Sequence, residues 1–198
     1  MWKLGLTGSI ATGKSTALKA FADLGVATFS SDEAVHELYE GDAVAPVEAM
    51  FPGVAVNGRI DRAELSRRLL DAPERLRDLE AVVHPLVRRR IARFLAEAEA
   101  RGETIAVVDI PLLFENGVDW GLDAVAVTVV DEAEQRRRAL ARPGMNVEKL
   151  DAILARQMPQ AEKRRRATYV FDSSGSIAEM GKAVKALVEA LRRSPKGI

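Results

Sequence analysis

Short runs of apolar residues alternate along this chain with longer segments in which apolar residues recur every three or four positions. The runs predict buried strands, and the three-to-four spacing predicts helices between them. We expect the strands at residues 2–7, 26–29, 105–108, 124–130 and 169–171. Four apolar residues in a row at 105–108 indicate a strand covered on both faces. Strands that alternate with helices are typical of an α/β fold.

The alternation is interrupted between the second and third strands. From about Leu38 to Arg101 the pattern is helical, and it contains no run typical of a buried parallel strand. Asn57-Gly58 is a turn signal within this segment. His84-Pro85 is expected to interrupt its long C-terminal helix, because proline cannot donate a backbone hydrogen bond. We therefore predict a helical insertion at 38–101 in a core formed by 1–37 and 102–198.

The segment between the first strand and the first helix has the spacing of a phosphate-binding P-loop. Residues 8–15, Gly-Ser-Ile-Ala-Thr-Gly-Lys-Ser, place four residues between a glycine and Gly-Lys-Ser. The glycines allow successive N–H groups to turn toward one anion, and the positive end of the helix points the same way. We expect Lys14 to bind the β- and γ-phosphates and Ser15 to hold magnesium. The predicted nucleotide-binding residues of this segment are Gly8, Ala11, Thr12, Gly13, Lys14, Ser15 and Thr16.

Two aspartates follow predicted strands, at the sheet edge where open α/β folds bind ligands. Asp32 lies in a first helical turn, after a Ser30–Glu33 pair with capping-box spacing. Taken alone, that position favours a simple interaction with the helix dipole. Asp109 ends the third strand and, near a P-loop, is a candidate to orient magnesium. The alternative for Asp109 is a strand-end turn residue.

Arginines accumulate between the fourth and fifth strands, where several helices are predicted. Arg138 and Arg142 are four residues apart and share one helix face. Arginine matches phosphate oxygens bidentately, so we expect residues 138–166 to form a mobile lid, with Arg138 binding the nucleotide. A solvated basic surface is the alternative, and most of these arginines must serve that purpose.

Composition narrows the possible partners and the possible location. The 198 residues suit one domain with an insertion. The 29 Lys and Arg residues balance the 29 Asp and Glu residues, and this zero net charge argues against nucleic acid as the main partner. The absence of cysteine excludes disulfides and thiol catalysis and fits a reducing cytoplasm. We expect neither a secretion signal nor a membrane span. A monomer or a small homo-oligomer is compatible with this surface.

Several longer stretches resemble the dephospho-coenzyme A kinases over nearly the whole chain. They are residues 5–10, 22–26, Asp32, 58–62, 79–85 and 109–115, with Gln157 and Lys163 before the last strand. The P-loop alone indicates nucleoside-triphosphate binding. His84-Pro85 and the run Pro-Leu-Leu-Phe-Glu at 111–115 make the resemblance far more specific.

The resemblance implies a P-loop kinase core with a five-stranded parallel sheet, a helical acceptor-binding insertion and a helical lid. It implies transfer of the γ-phosphoryl group of ATP, with Mg²⁺, to the ribose 3′-hydroxyl of dephospho-coenzyme A, the last step of coenzyme A biosynthesis. Asp32 matches the family's catalytic aspartate, Arg142 its lid arginine, and Lys14 completes the predicted catalytic set. The acceptor-binding residues are then Thr7, Asp32, His84, Leu113 and Glu115, and the metal ligands are Ser15 and Asp109.

The chain departs from the family pattern at a few positions, and two other functions remain open from its residues. Ser30, Pro143 and Thr168 stand where the family often has aspartate, and Ser9 and Ala11 stand where glycine is common. One alternative is a kinase for another small nucleoside or nucleotide acceptor, against which the helical insertion argues. The other is a non-catalytic ATP-binding switch. The joint presence of Asp32, Asp109 and Arg142 argues against a switch.

Overall fold

The computed structural model describes residues 1–194, and residues 195–198 of the predicted core lie outside the described part. In chain order its strands are β1 (Trp2–Gly8), β2 (Ala27–Ser30), β3 (Ala55–Val56), β4 (Arg59–Ile60), β5 (Ile105–Asp109), β6 (Ala124–Val129) and β7 (Tyr169–Asp172). Its helices are α1 (Lys14–Asp23), α2 (Ser31–Leu38), α3 (Val44–Met50), α4 (Arg62–Asp71), α5 (Leu76–Ala100), α6 (Glu132–Leu140), α7 (Val147–Ala155), α8 (Gln160–Arg166) and α9 (Ile177–Arg193). A short 3₁₀ turn at Pro73–Arg75 precedes α5.

The chain divides into two compact units, one of Met1–Phe29 with Glu97–Ile198 and one of Ser30–Ala96. The second unit begins at Ser30, whereas the sequence pattern placed the start of the insertion at residue 38. The helix that carries Asp32 therefore belongs to the second unit. A backbone hydrogen bond from Ile60 N–H to the Tyr39 carbonyl, 2.8 Å long, ties the end of α2 to the β3–β4 hairpin of that unit.

A five-stranded parallel sheet forms the centre of the first unit, and this confirms the predicted α/β fold. The strand order is β2-β5-β1-β6-β7. The central strand β1 pairs with both β5 and β6, so that Leu4 lies beside Val107 and Ala124. All five residues of β5 are buried, as their apolar run predicts.

The core of the first unit holds β1 and α1 on either side of the P-loop. Leu4 and Leu6 of β1, Phe21 of α1 and Val188 of α9 are buried together. The rings of Phe21 and Phe171 meet edge to face at 6.0 Å between centroids. Burial of each large apolar side chain contributes about 1.5–3 kcal/mol to the stability of the fold. This packing holds β1 and α1, the two elements that flank the P-loop, in place.

The second unit is mainly helical, with one two-stranded antiparallel hairpin. Asn57 and Gly58 connect its strands with φ values of 52° and 78°, and two positive φ angles are what a type I′ turn needs. The predicted interruption at His84-Pro85 is wrong, because α5 runs through Pro85 without a break. Val83, Val87 and Ile91 are buried at helical spacing on both sides of the proline, and their packing offsets the lost hydrogen bond.

No helix within residues 1–194 combines the length and the apolar character needed to cross a bilayer.

Candidate active site

The loop between β1 and α1 has backbone conformations that side chains rarely allow. Gly13, the residue that caps α1, has a φ of 86°, and Ala11 has a φ of 61°. For a residue with a Cβ atom such a φ is unfavourable by about 1–2 kcal/mol. A Cβ atom at Gly8 would lie 2.2 Å from Oγ1 of Thr128 and 2.6 Å from Oγ1 of Thr12. Gly8 is therefore required by space and Gly13 by conformation.

Hydrogen bonds from neighbouring elements hold this loop. Oγ1 of Thr12 donates to the Ser9 carbonyl at 2.8 Å and lies 2.8 Å from Oγ1 of Thr128 on β6. Ile10 N–H donates to Oε1 of Gln157 at 2.9 Å, and the Ile10 carbonyl accepts from Nε2 of Gln135 at 2.8 Å. Neither glutamine belongs to a sequence motif with a known chemical role.

The predicted phosphate-binding lysine and the predicted metal ligand lie together at the end of β5. Nζ of Lys14 is 2.5 Å from Oδ1 and 2.6 Å from Oδ2 of Asp109. Only 13% of the Lys14 side chain and 5% of the Asp109 side chain are exposed. The pair therefore places one cation and one carboxylate next to the P-loop, away from bulk water.

Ser15 and Asp109 suit Mg²⁺ by the chemistry of their donor atoms. Mg²⁺ is usually held by one or two protein oxygens, with substrate phosphates and water completing its octahedron. Ser15 is an exposed hydroxyl in the first turn of α1, and Asp109 ends β5. Within residues 1–194 no cluster of three or more acidic, histidine or cysteine side chains is arranged to hold a metal. The available donors thus match the sparse protein ligation of a magnesium–nucleotide complex.

A cavity of about 290 Å³ opens beside the P-loop in the first unit. Its lining brings together several of the predicted residues and a segment that the sequence analysis missed. The predicted ones are Ala11, Gly13, Thr16 and the pair Arg138 and Arg142. The others are Ser173, Gly175, Ser176, Ile177 and Met180. The latter group has neither a charged side chain nor the spacing of a known phosphate-binding motif, so only the fold places it here.

Arg138 is fixed in this cavity, whereas Arg142 is exposed at its wall. Nη1 of Arg138 donates to Oγ of Ser173 at 3.0 Å and Nη2 to the Ser173 carbonyl at 2.8 Å. Nε donates to Glu134 at 2.6 Å. Hydrogen bonds from Arg137 and Arg138 lower the pKa of Glu134 to about 2. Glu134 therefore stays ionised and holds the Arg138 guanidinium in place.

Three of the predicted acceptor-binding residues lie near the ends of β1 and β5 and are largely buried. Thr7 is fully buried and its hydroxyl donates to the Pro111 carbonyl at 3.2 Å, and Leu113 lies in the core. Glu115 accepts from Met158 N–H at 2.8 Å, and its Oε1 lies 2.8 Å from Nζ of the fully buried Lys163. Acceptor binding by Thr7, Leu113 and Glu115 stays a prediction, and the contacts of Glu115 point instead to anchoring α8.

The second unit has its own cavity, of about 530 Å³, with Asp32 in its wall. Glu33, His36, Glu37 and Arg62 complete the lining. Asp32 is exposed in the first turn of α2, behind the Ser30 side chain that accepts from Glu33 N–H. Nη1 of Arg62 lies 2.6 Å from Nδ1 of His36, and Nδ1 accepts because a guanidinium only donates. No sequence motif indicates a chemical role for His36 or Arg62.

His84, the remaining predicted acceptor ligand, lies half-buried on α5 in the second unit and is not part of that cavity's lining. Its role stays a prediction.

Comparison with known proteins decides which family has these features. The family model described as dephospho-CoA kinase matches residues 2–179. The chain belongs to the dephospho-CoA kinase family. The family's Rhizobium meliloti (strain 1021) member is 52% identical over 189 residues, covering 96% of this chain and 97% of its own length. The Rhodopseudomonas palustris (strain HaA2) member is 48% identical over 196 residues, covering 99% and 98%.

Solved structures agree with this family's fold. The crystal structure of TT1252 from Thermus thermophilus superimposes with a TM-score of 0.80 at 36% identity, covering 96% of this chain and 97% of that chain. The dephospho-CoA kinase from Campylobacter jejuni gives a TM-score of 0.74 at 24% identity, covering 97% and 98%, and so supports the fold alone.

Proposed function

We propose that this chain transfers the γ-phosphoryl group of ATP to the ribose 3′-hydroxyl of dephospho-coenzyme A. The products are coenzyme A and ADP, in the last step of coenzyme A biosynthesis. The observation that carries the proposal is the P-loop with Lys14, Arg138 and Arg142 around it, in a chain of the dephospho-CoA kinase family. Phosphoryl transfer needs little covalent help from the protein, and catalysis rests on positioning and on neutralising charge.

The P-loop is the proposed binding site for the phosphates of ATP. Its N–H groups and the N-terminus of α1 offer donors, and Lys14 and Arg142 supply positive charge to the transferring group. Arg138, held by Glu134 and Ser173, contributes a guanidinium at a fixed position in the cavity. Ser15 and Asp109 would hold Mg²⁺, which when bound neutralises and orients the β- and γ-phosphates.

Asp32 is the proposed partner of the acceptor hydroxyl. Its exposed carboxylate lies in a cavity wall, accessible to a ligand. It orients the 3′-hydroxyl and accepts its proton as the oxygen forms a bond to the γ-phosphorus. The bond from that phosphorus to the bridging oxygen breaks, and ADP leaves with the electron pair.

The two alternatives have less support. The match to the family model, together with near full-length relatives, disfavours a different acceptor. A non-catalytic ATP switch would have no use for an exposed Asp32 in a second cavity. The cytoplasmic location and the oligomeric state stay predictions.

The test is ADP release by the purified protein with ATP and Mg²⁺, with dephospho-coenzyme A, adenosine, a nucleoside monophosphate or no acceptor. We expect strong stimulation by dephospho-coenzyme A alone, with coenzyme A as the product. Stimulation by another acceptor would retain the kinase and reject the substrate. Tight ATP binding without stimulation by any acceptor would favour the switch.

A further inference from the structure

The chain contains three glutamines, Gln135, Gln157 and Gln160, and all three lie in one series of hydrogen bonds that ends on the P-loop. Gln135 is on α6, Gln160 opens α8, and Gln157 lies between α7 and α8. None of the three has a role in the reaction proposed above.

The series can be followed from β6 to the loop. Val130 N–H, just after β6, donates to Oε1 of Gln160 at 2.9 Å, and Nε2 of Gln160 donates to Oε1 of Gln135 at 2.8 Å. Nε2 of Gln135 donates to the Ile10 carbonyl at 2.8 Å. Ile10 N–H donates to Oε1 of Gln157 at 2.9 Å. Each amide is oriented by its partners, so the network has a single consistent direction.

Side chains from outside the loop thus satisfy both backbone polar groups of Ile10. The next residue, Ala11, has the unfavourable φ of 61°. A strained backbone conformation persists only where its surroundings determine it, and the two hydrogen bonds at Ile10 do so immediately before the strained residue. Gln135 is only 4% exposed, so its hydrogen bonds compete little with water.

We propose that Gln135, Gln157 and Gln160 are positioning residues that hold Ile10 and Ala11 in the conformation of the P-loop that binds nucleotide phosphates. The inference rests on the proposed function of the P-loop. Gln135 and Arg138 lie on the same helix, α6. The network therefore also fixes the position of the P-loop relative to the Arg138 guanidinium. The segment around α8 therefore supports the P-loop. The ion pair between Lys163 and Glu115 in turn holds α8 in place.

The test compares nucleotide affinity in variants that remove individual bonds. Gln157→Leu and Gln135→Met each remove a bond to Ile10, and we expect the Kd for ATP and for ADP to rise about tenfold. Gln160→Met acts one bond further away, and we expect a rise of about threefold. Glu148→Gln, at an exposed position on α7, is the control and should leave both Kd values unchanged. The KM for dephospho-coenzyme A should not move.

Two further measurements separate positioning from simple loss of stability. Hydrogen exchange of residues 8–13 should become faster in Gln157→Leu and stay slow in Gln157→Glu, which retains an acceptor oxygen for Ile10 N–H. In an Ala11→Gly background, where a positive φ is favourable, Gln157→Leu should raise the Kd for ATP only about threefold.

Unchanged Kd values together with a lower Tm would overturn the inference and leave the glutamines a purely structural role. Equal losses of affinity with and without the Ala11→Gly substitution would overturn the link to the strained residue. If the unmodified protein binds ATP but does not phosphorylate dephospho-coenzyme A, the proposed function fails while the Kd comparison still decides the role of the glutamines.

Discussion

At the scale of single residues, the site depends on a few positions where space, backbone conformation or charge is tightly constrained. Gly8 has no room for a Cβ atom beside Thr12 and Thr128. Ala11 occupies a positive φ that glycine would adopt without strain. Lys14 is already aligned by Asp109. Charge and conformation are thus fixed around the proposed phosphate site, and fixed charges of this kind are the basis of electrostatic preorganisation.

Asp32→Asn keeps the shape of the side chain and removes its charge. If Asp32 accepts the proton of the 3′-hydroxyl, turnover should fall about 10²–10⁴-fold while the Kd for ATP stays the same. Steady-state kinetics with dephospho-coenzyme A and calorimetry with ATP measure the two quantities. Glu40→Gln, an exposed carboxylate just after α2, is the control. Near-normal turnover of Asp32→Asn would remove Asp32 from this role.

Some residue assignments follow from chemical type and spacing, and others do not. Lys14 and Asp109 are recognisable because a cation in a P-loop and an acid at a strand end have few other uses together. The glutamines are neutral, and their importance arises from which backbone groups they meet in the folded chain. Local sequence therefore gives no sign of their hydrogen bonds to Ile10.

At the scale of elements, α8 is attached to the end of β5 by a buried ion pair. Nζ of Lys163 is fully buried and 2.8 Å from Oε1 of Glu115, without the alignment of a hydrogen bond. Such a pair need not stabilise the fold by itself, because desolvation of both charges opposes their attraction. Removing one partner alone would destabilise the fold, because the other charge would stay buried without compensation. The pair therefore constrains where α8 can lie.

Lys163→Met should lower the free energy of unfolding by about 3–5 kcal/mol, because it leaves the charge of Glu115 buried without its cation. Lys163→Met combined with Glu115→Gln should recover most of the loss, since Gln retains an acceptor for Met158 N–H. Urea unfolding measures both. Arg165→Met, an exposed cation on α8, should change the stability by less than about 0.5 kcal/mol. An equal loss in the single and double variants would contradict this view.

The cluster of Glu134 with Arg137 and Arg138 on α6 predicts a pH dependence of stability. The pKa of Glu134 is lowered from 4.5 to about 2, first by the hydrogen bond from Arg137 and then by that from Arg138. A carboxyl with a lower pKa in the folded state contributes stability above its unfolded pKa and loses it as the pH falls through the folded one. The difference in unfolding free energy between the unmodified protein and Glu134→Gln should be constant above about pH 5.5.

That difference should shrink as the pH is lowered from about 4.5 toward 2, and it should vanish only below the folded-state pKa of about 2, where Glu134 is protonated in both the folded and the unfolded protein. Urea unfolding across this range measures it, with Glu132→Gln on the same helix as the control. A difference that grows on acidification would show that the pKa is not lowered in the folded protein.

The course of α5 shows how packing overrides a local signal. Proline is expected to break a helix, and the sequence predicted an interruption at Pro85. Buried Val83, Val87 and Ile91 lie on one face, before and after the proline, and keep the helix continuous. A sequence pattern does not reveal how strongly a face is packed, so this outcome depends on tertiary structure.

At the scale of the whole molecule, nucleotide binding and stability are linked by mass action. At an ATP concentration of about 100 times the Kd, binding to the folded state adds about 2.7 kcal/mol. For a chain of this size, Mg²⁺ and ATP should raise the Tm by roughly 5–10 °C. Lys14→Ala should remove most of that shift, and Lys19→Ala, exposed on the same helix, should retain it. Thermal unfolding with and without ATP measures the shift, and a full shift in Lys14→Ala would contradict the phosphate contact.

Lys14→Ala should also lower the Tm without nucleotide. Asp109 is 3% exposed and loses the Lys14 cation in this variant. Removing the compensating charge from a buried carboxylate is destabilising. The Tm without nucleotide therefore reports the role of Lys14 in the fold, and the Tm shift on adding ATP reports its proposed role toward ATP.

The sequence by itself determined the parallel α/β core, the P-loop and the family of this protein. Apolar runs and helical spacing indicate which faces of the strands and helices are buried. The spacing of Gly8 from Gly-Lys-Ser indicates a loop whose backbone can surround an anion. The tertiary structure alone decided that the second unit begins at Ser30, that α5 passes through Pro85 and that Glu115 meets Lys163. It also decided that Gln135 and Gln157 bond to Ile10 and that Gln160 bonds to Gln135. These outcomes depend on pairings between residues far apart in the chain, and the hydrogen bonds and buried charges of such pairs leave no periodic trace in the sequence.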